Sequence, residues 1–231
     1  MATKSITPIR GKRIRITQLD DCGQLTPSSL QIVSSGFVTV SLSPQVEDGT
    51  DIQVRNASGA LCVNERGNPS FSGFDVEIEF CEVNPSVITM TTNAEDYENY
   101  AGDIAGFTVP EGEITGMFAL ELWTGIAGVA CGDDGDEASG YMLLPMVAAG
   151  TLGDVEIGGE DAITFTLSNS STRGGNTWGV GPYNVLGKEG TPAPLPTPID
   201  SLDHFLMLET FVTPPEDSTD PAPVPSSSST G

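Results

Sequence analysis

Few residues in this sequence have the types and the spacing that catalysis needs. His204 is the only histidine, so a Ser-His-Asp triad would have to be built on it. It lies between Asp203 and Phe205 at the start of a predicted strand, where a surface or packed histidine is the simpler interpretation. Gly179-Val180-Gly181 lacks the third glycine and the following helix of a nucleotide-binding loop. We therefore predict no catalytic residue and a protein that is not an enzyme.

Metal binding and disulfide formation have little support in the sequence. The four cysteines are widely spaced, without a Cys-x-x-Cys motif, at Cys22, Cys62, Cys81 and Cys131. Cys62 and Cys81 lie in strand-like runs, where a cysteine is most often a small buried apolar residue; a disulfide and a metal site are the alternatives. The acidic run Cys131–Glu137 lacks the ligand spacing of a calcium loop, which favours a solvated hairpin tip over a cation site. We expect no metal and no cofactor.

The charge distribution is a stronger signal than any of these motifs. The 231 residues include 32 acidic and 9 basic side chains, which gives a formal net charge of -23. Such a chain repels phosphates, which argues against tight wrapping of nucleic acid. The first fifteen positions contain no acidic residue and five of the basic ones: Lys4, Arg10, Lys12, Arg13 and Arg15. A cationic arm on an anionic body can associate head to tail with a second copy, and a frayed basic terminus is the alternative.

Alternation of apolar and polar residues with a period of two dominates the chain. In residues 75–80 every second side chain is apolar and would face a core, while Asp75, Glu77 and Glu79 form an acidic row on the other face. The same alternation occurs at residues 13–17, 37–42 and 163–167, and further strands are predicted at 52–55, 107–109, 117–123, 141–147, 150–157, 178–186 and 205–212. Glycines and prolines separate these runs, so we predict an all-β fold, a β-sandwich or barrel of about ten strands.

One short flanking helix is expected, since Asn84 can cap it, Pro85 suits its first position and residues 86–92 can complete two turns.

No targeting segment and no apolar run of bilayer length is present, so we expect a soluble protein made in the cytosol without a membrane partner. The chain divides into a basic N-terminal arm (1–15), a β domain (16–213) with a Pro-rich connector (191–198), and a disordered Pro/Ser-rich tail (214–231).

Three stretches, Ile9–Arg15, Gly36–Gly49 and Gly179–Val185, resemble the major tail proteins of long-tailed bacteriophages that infect actinobacteria. The similarity extends over residues 6–213, most of the chain. The resemblance implies a tail tube subunit of the virion, a β-sandwich that assembles into hexameric rings in the host cytoplasm. It also implies that the rings stack around a tape-measure protein between tail terminator and distal tail proteins, and that DNA passes through the lumen without tight binding.

The resemblance suggests roles for the charged residues. A conduit for DNA must not bind phosphates, so the row Asp75, Glu77 and Glu79 is the candidate lumen-facing set; an outward, solvated strand face is the alternative. The basic arm from Lys4 to Arg15 would dock on the acidic surface of an adjacent subunit or ring. The Ser43–Gly49 turn, with Glu47 and Asp48, would reach the same junction, although tail tubes of this family commonly have a longer protruding loop there.

Three other functions fit the same sequence features. A capsid decoration protein or a minor tail protein would share the β fold but would not stack into tubes. A carbohydrate-binding β-sandwich would depend on an exposed aromatic platform, for which Trp123 and Trp178 are the candidates.

Overall fold

The computed structural model describes residues 7–127, 138–155, 163–175, 183–186 and 192–224. Strands make up most of the regular structure in these ranges, and the only helix there is α1, Pro85–Thr91. The strands are β1 (Pro8–Leu19), β2 (Leu30–Ser34), β3 (Phe37–Glu47), β4 (Ile52–Arg55), β5 (Leu61–Glu65), β6 (Ser70–Phe80), β7 (Glu95–Glu98), β8 (Ile104–Thr108), β9 (Met117–Ile126), β10 (Ser139–Ala148), β11 (Thr151–Leu152), β12 (Phe165–Thr172), β13 (Leu206–Thr210) and β14 (Ala222–Pro223). The predicted all-β class is confirmed.

Ten of these strands form one large antiparallel sheet. Their order is β14-β2-β1-β9-β10-β12-β6-β3, with β11 beside β12 and β13 beside β10. Two further hairpins, β4–β5 and β7–β8, are separate from it. The sheet divides at β10, because this strand pairs with β13 through residues 139–143 and with β12 only through Val147 and Ala148. This division lets the two halves of the sheet pack face to face, as in a sandwich.

The main core lies between the two halves of this sheet. Ile14 and Ile32 from one half and Ile78 and Leu167 from the other belong to a single buried cluster. Each of these four side chains is at most 1% exposed. Val87 of α1 joins the same cluster, so the helix packs against the sandwich as the flanking element that the sequence predicts. Burial of this apolar surface is the main favourable contribution to folding.

A second apolar cluster lies on the other face of β1, β9 and β10. It contains Trp123, Tyr141 and Leu143 from these strands, and Tyr183 from the chain that covers them. Strands β9 and β10 are therefore buried on both faces. A strand that is buried on both faces needs apolar residues at consecutive positions, and Met117–Ile126 reads as an almost continuous apolar run for this reason.

The predicted capping of α1 is confirmed in detail. Asn84 has an extended backbone and its Oδ1 accepts a hydrogen bond from Ser86 N at 3.0 Å. Pro85 begins the helix, where its missing N–H removes no hydrogen bond. The helix ends at Thr91, one residue earlier than predicted, because Thr92 returns to an extended conformation.

The basic N-terminal stretch is not a free arm over the residues that the structure describes. Strand β1 begins at Pro8 and pairs with β2 on one side and β9 on the other. Ile14 and Ile16 are fully buried, so apolar burial holds this strand inside the sheet. The boundary drawn at residue 15 therefore falls within a strand. Residues 1–6, with Lys4, lie outside the described residues.

The C-terminal boundary also differs from the expectation of a disordered tail. Residues 214–224 run along β2, and β14 lies within them. Hydrogen bonds hold this segment, among them one from Ser218 N to Val33 O at 3.0 Å. Because such bonds do not require apolar side chains, the Pro/Ser-rich composition gave no sign of them. The last residues, 225–231, lie outside the described residues.

Residues 43–49 do not form the short turn that the sequence suggested. Strand β3 continues to Glu47, and the chain then forms the β4–β5 hairpin before it returns as β6. The turn lies at residues 56–59, where Asn56 Oδ1 accepts hydrogen bonds from Ser58 N at 3.1 Å and Ala60 N at 2.9 Å. Gly59 adopts a positive φ of 83° in this turn, which glycine does without steric cost. We call residues 48–69 the β4–β5 arm.

The cysteines were expected to be buried, and this is wrong for Cys62 and Cys81. Both are exposed free thiols, as is Cys22. Cys62 lies on the β4–β5 arm, where both faces of the ribbon meet solvent, and Cys81 directly follows the end of β6. Cys131 and the acidic run Cys131–Glu137 lie outside the described residues.

The described ranges contain neither a cluster of metal-ligating residues nor a long apolar helix. No group of three or more His, Cys, Asp or Glu residues in these ranges is placed to hold a metal ion. No helix there is long and apolar enough to cross a membrane.

We expect the free energy of unfolding to depend on Ile78 far more than on Ile52. Ile78→Ala leaves a cavity in the main core and should cost about 2–5 kcal/mol. Ile52→Ala, the matched control on the β4–β5 arm, should change stability by less than about 0.5 kcal/mol, because this side chain is half exposed. Denaturant titrations followed by circular dichroism measure both values. Equal losses would contradict the separation of the arm from the core.

Candidate functional site

The acidic row lies on the exposed face of β6. Asp75 and Glu77 are exposed and Glu79 is partly exposed, while the alternate apolar side chains are buried as predicted. Across to β3, Asp75 is opposite Ser43, Glu77 is opposite Ser41 and Glu79 is opposite Thr39. Residues that face each other in an antiparallel pair share a face, so hydroxyl groups flank the carboxylates. We call these six residues the acidic face.

No cation neutralises the acidic face from its own strands. The sequence contains no Lys or Arg in residues 16–54 or 67–172, which include β3, β6 and β12. Asp75 is held by an amide instead, since Gln45 Nε2 donates a hydrogen bond to its Oδ1 at 2.5 Å. The result is a surface that is polar, anionic and free of phosphate-binding side chains on these three strands.

The strand next to the acidic row has an open edge. Strand β3 has 11 residues and pairs with β6 on one side, and no described strand pairs with its other side. Native edge strands are usually short, or carry lysines and prolines that block further pairing. Within β3 only Pro44 is such a residue, and Val38 and Val46 are about half exposed. Along this edge, no described strand binds the backbone groups of β3 that point away from β6.

The β4–β5 arm exposes an apolar stripe. Val54 lies opposite Val63 in the hairpin, and four apolar side chains of the arm are between 42% and 50% exposed: Ile52, Val54, Leu61 and Val63. A two-stranded ribbon is at best marginally stable in water, and a contiguous exposed apolar surface usually marks a contact site. At the base of the arm the backbones of Gly49 and Gly67 approach closely, and a side chain on either would collide with the other.

The structure separates the predicted contact residues into different environments. Glu47 ends β3 and Asp48 follows it, and both are exposed. Arg10 is also exposed and lies at a β-bulge, with a positive φ of 47°. Lys12 is partly buried.

The other two arginines interact within their own chain. Arg13 Nε lies 3.1 Å from Asp217 Oδ1 of the C-terminal segment. Arg15 points into the second core and does not fit the predicted role of an inter-subunit contact, because Glu121 already binds it.

Arg15 and Glu121 form a bidentate ion pair across β1 and β9. Arg15 Nε donates to Glu121 Oε2 at 2.5 Å, and Nη2 donates to Oε1 at 2.6 Å. Tyr141 OH donates a third hydrogen bond to Oε1 at 2.7 Å. The Arg15 guanidinium also lies 5.3 Å from the centre of the Trp123 ring, which is a cation–π contact. Glu121 is only 1% exposed, so this cluster satisfies a carboxylate that water scarcely reaches.

Burial and the Glu121 charge shift the pKa of both neighbours. Burial alone lowers the pKa of Arg15, but the charge of Glu121 and its hydrogen bonds outweigh this effect, and the pKa lies above its ordinary value. Burial raises the pKa of Tyr141, and the negative charge and hydrogen bond of Glu121 raise it further. Both shifts favour one state, a charged guanidinium beside a neutral phenol. The cluster is thus a fixed structural element of the sheet.

The sequence did hold a signal for this cluster. Glu121 is the one charged residue in the apolar run Met117–Ile126, and a charge in a buried strand needs a partner. Which basic residue would meet it depends on the register between β1 and β9, where Arg15 and Glu121 are directly opposite.

His204 and Trp123 are both packed residues. His204 Nδ1 lies 2.7 Å from Thr172 Oγ1, and its ring makes an edge contact with Phe71 at 5.5 Å. This matches the interpretation of a packed histidine. Trp123 is 2% exposed, so it cannot offer a ring to a sugar. Trp178, the other candidate for a glycan platform, lies outside the described residues, as does Gly179-Val180-Gly181.

Comparison with known protein families finds no matching family model, and comparison with curated proteins finds no significant match.

We expect Arg15→Met to cost about 3–5 kcal/mol of folding stability, because it leaves the Glu121 carboxylate buried without a counter-charge. The double variant Arg15→Met/Glu121→Gln should recover much of this loss, since the amide that replaces the carboxylate is neutral and still offers an oxygen to Tyr141. Arg55→Met on the β4–β5 arm is the control and should change stability by less than about 0.5 kcal/mol. Denaturant titrations at neutral pH measure all three. A double variant no more stable than Arg15→Met would contradict the buried pair.

We expect the stability of the protein to fall as the pH rises above about 10, the ordinary pKa of tyrosine. The pKa of Tyr141 is raised in the folded state, so its contribution is complete below that pH and is lost as the pH rises further. Tyr141→Phe should flatten this decline, whereas Tyr100→Phe, with a fully exposed ring, should not. The test is to measure the free energy of unfolding of each protein at a series of pH values below and above about 10, the ordinary pKa of tyrosine. Identical slopes for the wild type and Tyr141→Phe would show that Tyr141 does not cause the decline.

Proposed function

We propose that this chain is a structural virion protein, a phage tail tube subunit that polymerises as stacked hexameric rings around a tape-measure protein. One observation supports this proposal most strongly: the acidic face lies on β6 and β3, and β3 has an open edge of 11 residues. Copies that join at this edge would extend the acidic face from one subunit to the next. A closed ring of such subunits would have a continuous anionic wall.

An acidic wall of this kind suits the passage of DNA. Carboxylates repel the phosphate backbone, and the repulsion acts over a Debye length of about 8 Å at physiological salt. The flanking side chains Thr39, Ser41 and Ser43 keep the wall polar without adding positive charge. Nucleic acid could therefore slide past without adhering, which is why we assign the lumen-facing role to Asp75, Glu77 and Glu79.

The β4–β5 arm supports self-association at a second surface. Burial of its apolar stripe against another subunit would stabilise the arm, because a two-stranded ribbon is at best marginally stable by itself in water. Glu47 and Asp48 stand where the arm leaves the sheet, and Arg10 is exposed on β1. We retain these three as inter-subunit contacts, together with Lys4 and Lys12.

The proposal includes partners and a location. The ends of the tube would meet tail terminator and distal tail proteins, and DNA would be a transient passenger. The protein would be assembled in the host cytoplasm, reside in the virion tail, and have no enzymatic activity. His204, the residue that a catalytic triad would require, is packed against Thr172 and Phe71, which supports a structural role.

Negative-stain electron microscopy of the purified chain, over a series of protein and salt concentrations, tests the proposal. Mass measurement of the same samples gives the number of copies in each assembly. Rings or hollow tubes with a central channel are the expected result. Monomers that also fail to enter tubes when tape-measure and initiator proteins are supplied would overturn it. Capsid decoration, a minor tail role or glycan binding would then replace it.

We expect Glu77→Cys to be shielded from a polymer-linked maleimide in assembled tubes and reactive in monomers. The reagent must be too wide for the channel, so a lumen-facing thiol escapes it only after assembly. Tyr100→Cys is the control, because that side chain is fully exposed in the subunit. Both variants need the native cysteines replaced by serine, since three of them are exposed. Equal labelling of Glu77→Cys in tubes and monomers would place the acidic face on the outside.

A further inference from the structure

The outer edge of β2 is covered by the C-terminal segment, residues 213–224, which we call the strap. Ala222 of β14 is paired with Gln31 of β2. Ser218 makes two hydrogen bonds to Val33, from its N to the carbonyl oxygen at 3.0 Å and from Val33 N to its Oγ at 3.0 Å. Val224 N donates to Ser29 O at 3.2 Å. The strap therefore meets the outward-pointing backbone groups of β2 that would otherwise be open to another strand.

The strap is held without buried side chains. No residue in 213–224 is buried, whereas Val212 directly before them is 8% exposed. Strand β14 has only two residues, and Pro223 lacks the N–H that a longer ladder would use. Val33 N is satisfied by a serine hydroxyl where a neighbouring strand would offer a carbonyl. Detachment of the strap would thus withdraw no buried side chain of residues 213–224 from either core.

An ion pair connects the strap to β1. Asp217 Oδ1 lies 3.1 Å from Arg13 Nε, and Asp217 Oδ2 accepts a hydrogen bond from Ser35 at 2.7 Å. The two charged side chains are 33% and 45% exposed, so solvent screens their attraction and the pair holds the strap only weakly. A carboxylate from another molecule can replace Asp217 at this position without loss of charge complementarity.

We propose that the strap masks a pairing surface on β2 for a second copy of this chain, which binds there through the open edge of β3. The five residues of β2 can then pair along their whole length with the 11-residue strand β3 of the second copy. The strap, by contrast, pairs with β2 through only the two residues of β14. Glu47 and Asp48 at the end of β3 take the place of Asp217 beside Arg13. This inference rests on the self-association proposed above. It adds a step that regulates self-association, since β2 becomes available only when the strap detaches.

Two variants with opposite effects test the strap. Deletion of residues 214–231 removes the cover, and deletion of residues 225–231 alone is the matched control. A second variant, Gln31→Cys/Ala222→Cys in a chain whose native cysteines are replaced by serine, closes the strap with a disulfide between directly opposite residues. Sedimentation and electron microscopy measure association of each chain, with the locked variant studied before and after reduction.

We expect the chain without residues 214–231 to associate at about tenfold lower concentration than the wild type. This ratio applies if the strap is detached in about a tenth of the wild-type molecules, because only those molecules can then bind. The control deletion should behave as the wild type. The locked variant should remain monomeric when oxidised and associate when reduced. Glu47→Gln/Asp48→Asn in the deleted chain should weaken association, and Glu95→Gln/Asp96→Asn, an equal change on β7, should not.

The outcomes separate this inference from the tail tube proposal. Tubes formed equally well by the oxidised locked variant would overturn the strap and leave the tube proposal standing. Association of the deleted chain only into assemblies without a channel, sensitive to Glu47 and Asp48, would support the strap and count against the tube. A deleted chain that remains folded by circular dichroism and associates no more readily than the wild type would overturn the strap.

Discussion

Every open β-sheet has two edges, and the backbone N–H and C=O groups along them must be satisfied by some partner. Much of what is unusual in this chain follows from how its ten-stranded sheet meets that requirement. At β2, a polar C-terminal segment supplies the hydrogen bonds and adds an ion pair through Asp217. At β3, no described strand supplies them along 11 residues. Within the described residues, one edge is covered by a two-residue strand and polar contacts, and the other has no paired strand.

The interior of the sheet has a different constraint, because β9 and β10 are buried on both faces. A polar group in such a strand has no route to water, so it must find its partners within the protein. Glu121 meets this need through Arg15 and Tyr141, and the three together link β1, β9 and β10 beneath Trp123. Pairs of this kind add little net stability compared with apolar residues, but breaking one is costly. A shift in the register of these strands would separate Arg15 and Tyr141 from Glu121, so the cluster favours the observed register.

The exposed surfaces suggest a function that depends on shape and charge. The acidic face has hydroxyl neighbours and no basic residue on its strands, and the β4–β5 arm exposes apolar side chains on a ribbon that cannot bury them itself. The acidic face would repel phosphates, and the apolar stripe of the β4–β5 arm would be stabilised by contact with another subunit. A self-assembling conduit for DNA would use both properties. In that assembly the strap would decide when subunits join, while the acidic face would act only after they have joined.

The sequence alone determined the features that depend on local pattern. The two-residue period of 75–80 placed Asp75, Glu77 and Glu79 on one face, and Asn84-Pro85 located the start of α1, because alternation and capping act between near neighbours. The tertiary structure decided the rest. The pairing of Arg15 with Glu121 depends on strand register, the polar strand β7 has no apolar pattern, and the strap is held by hydrogen bonds to a strand far away in the chain. Period-two alternation marks a strand but not its partner or its register, and the hydrogen bonds of a polar segment leave no periodic pattern, so only the folded chain reveals them.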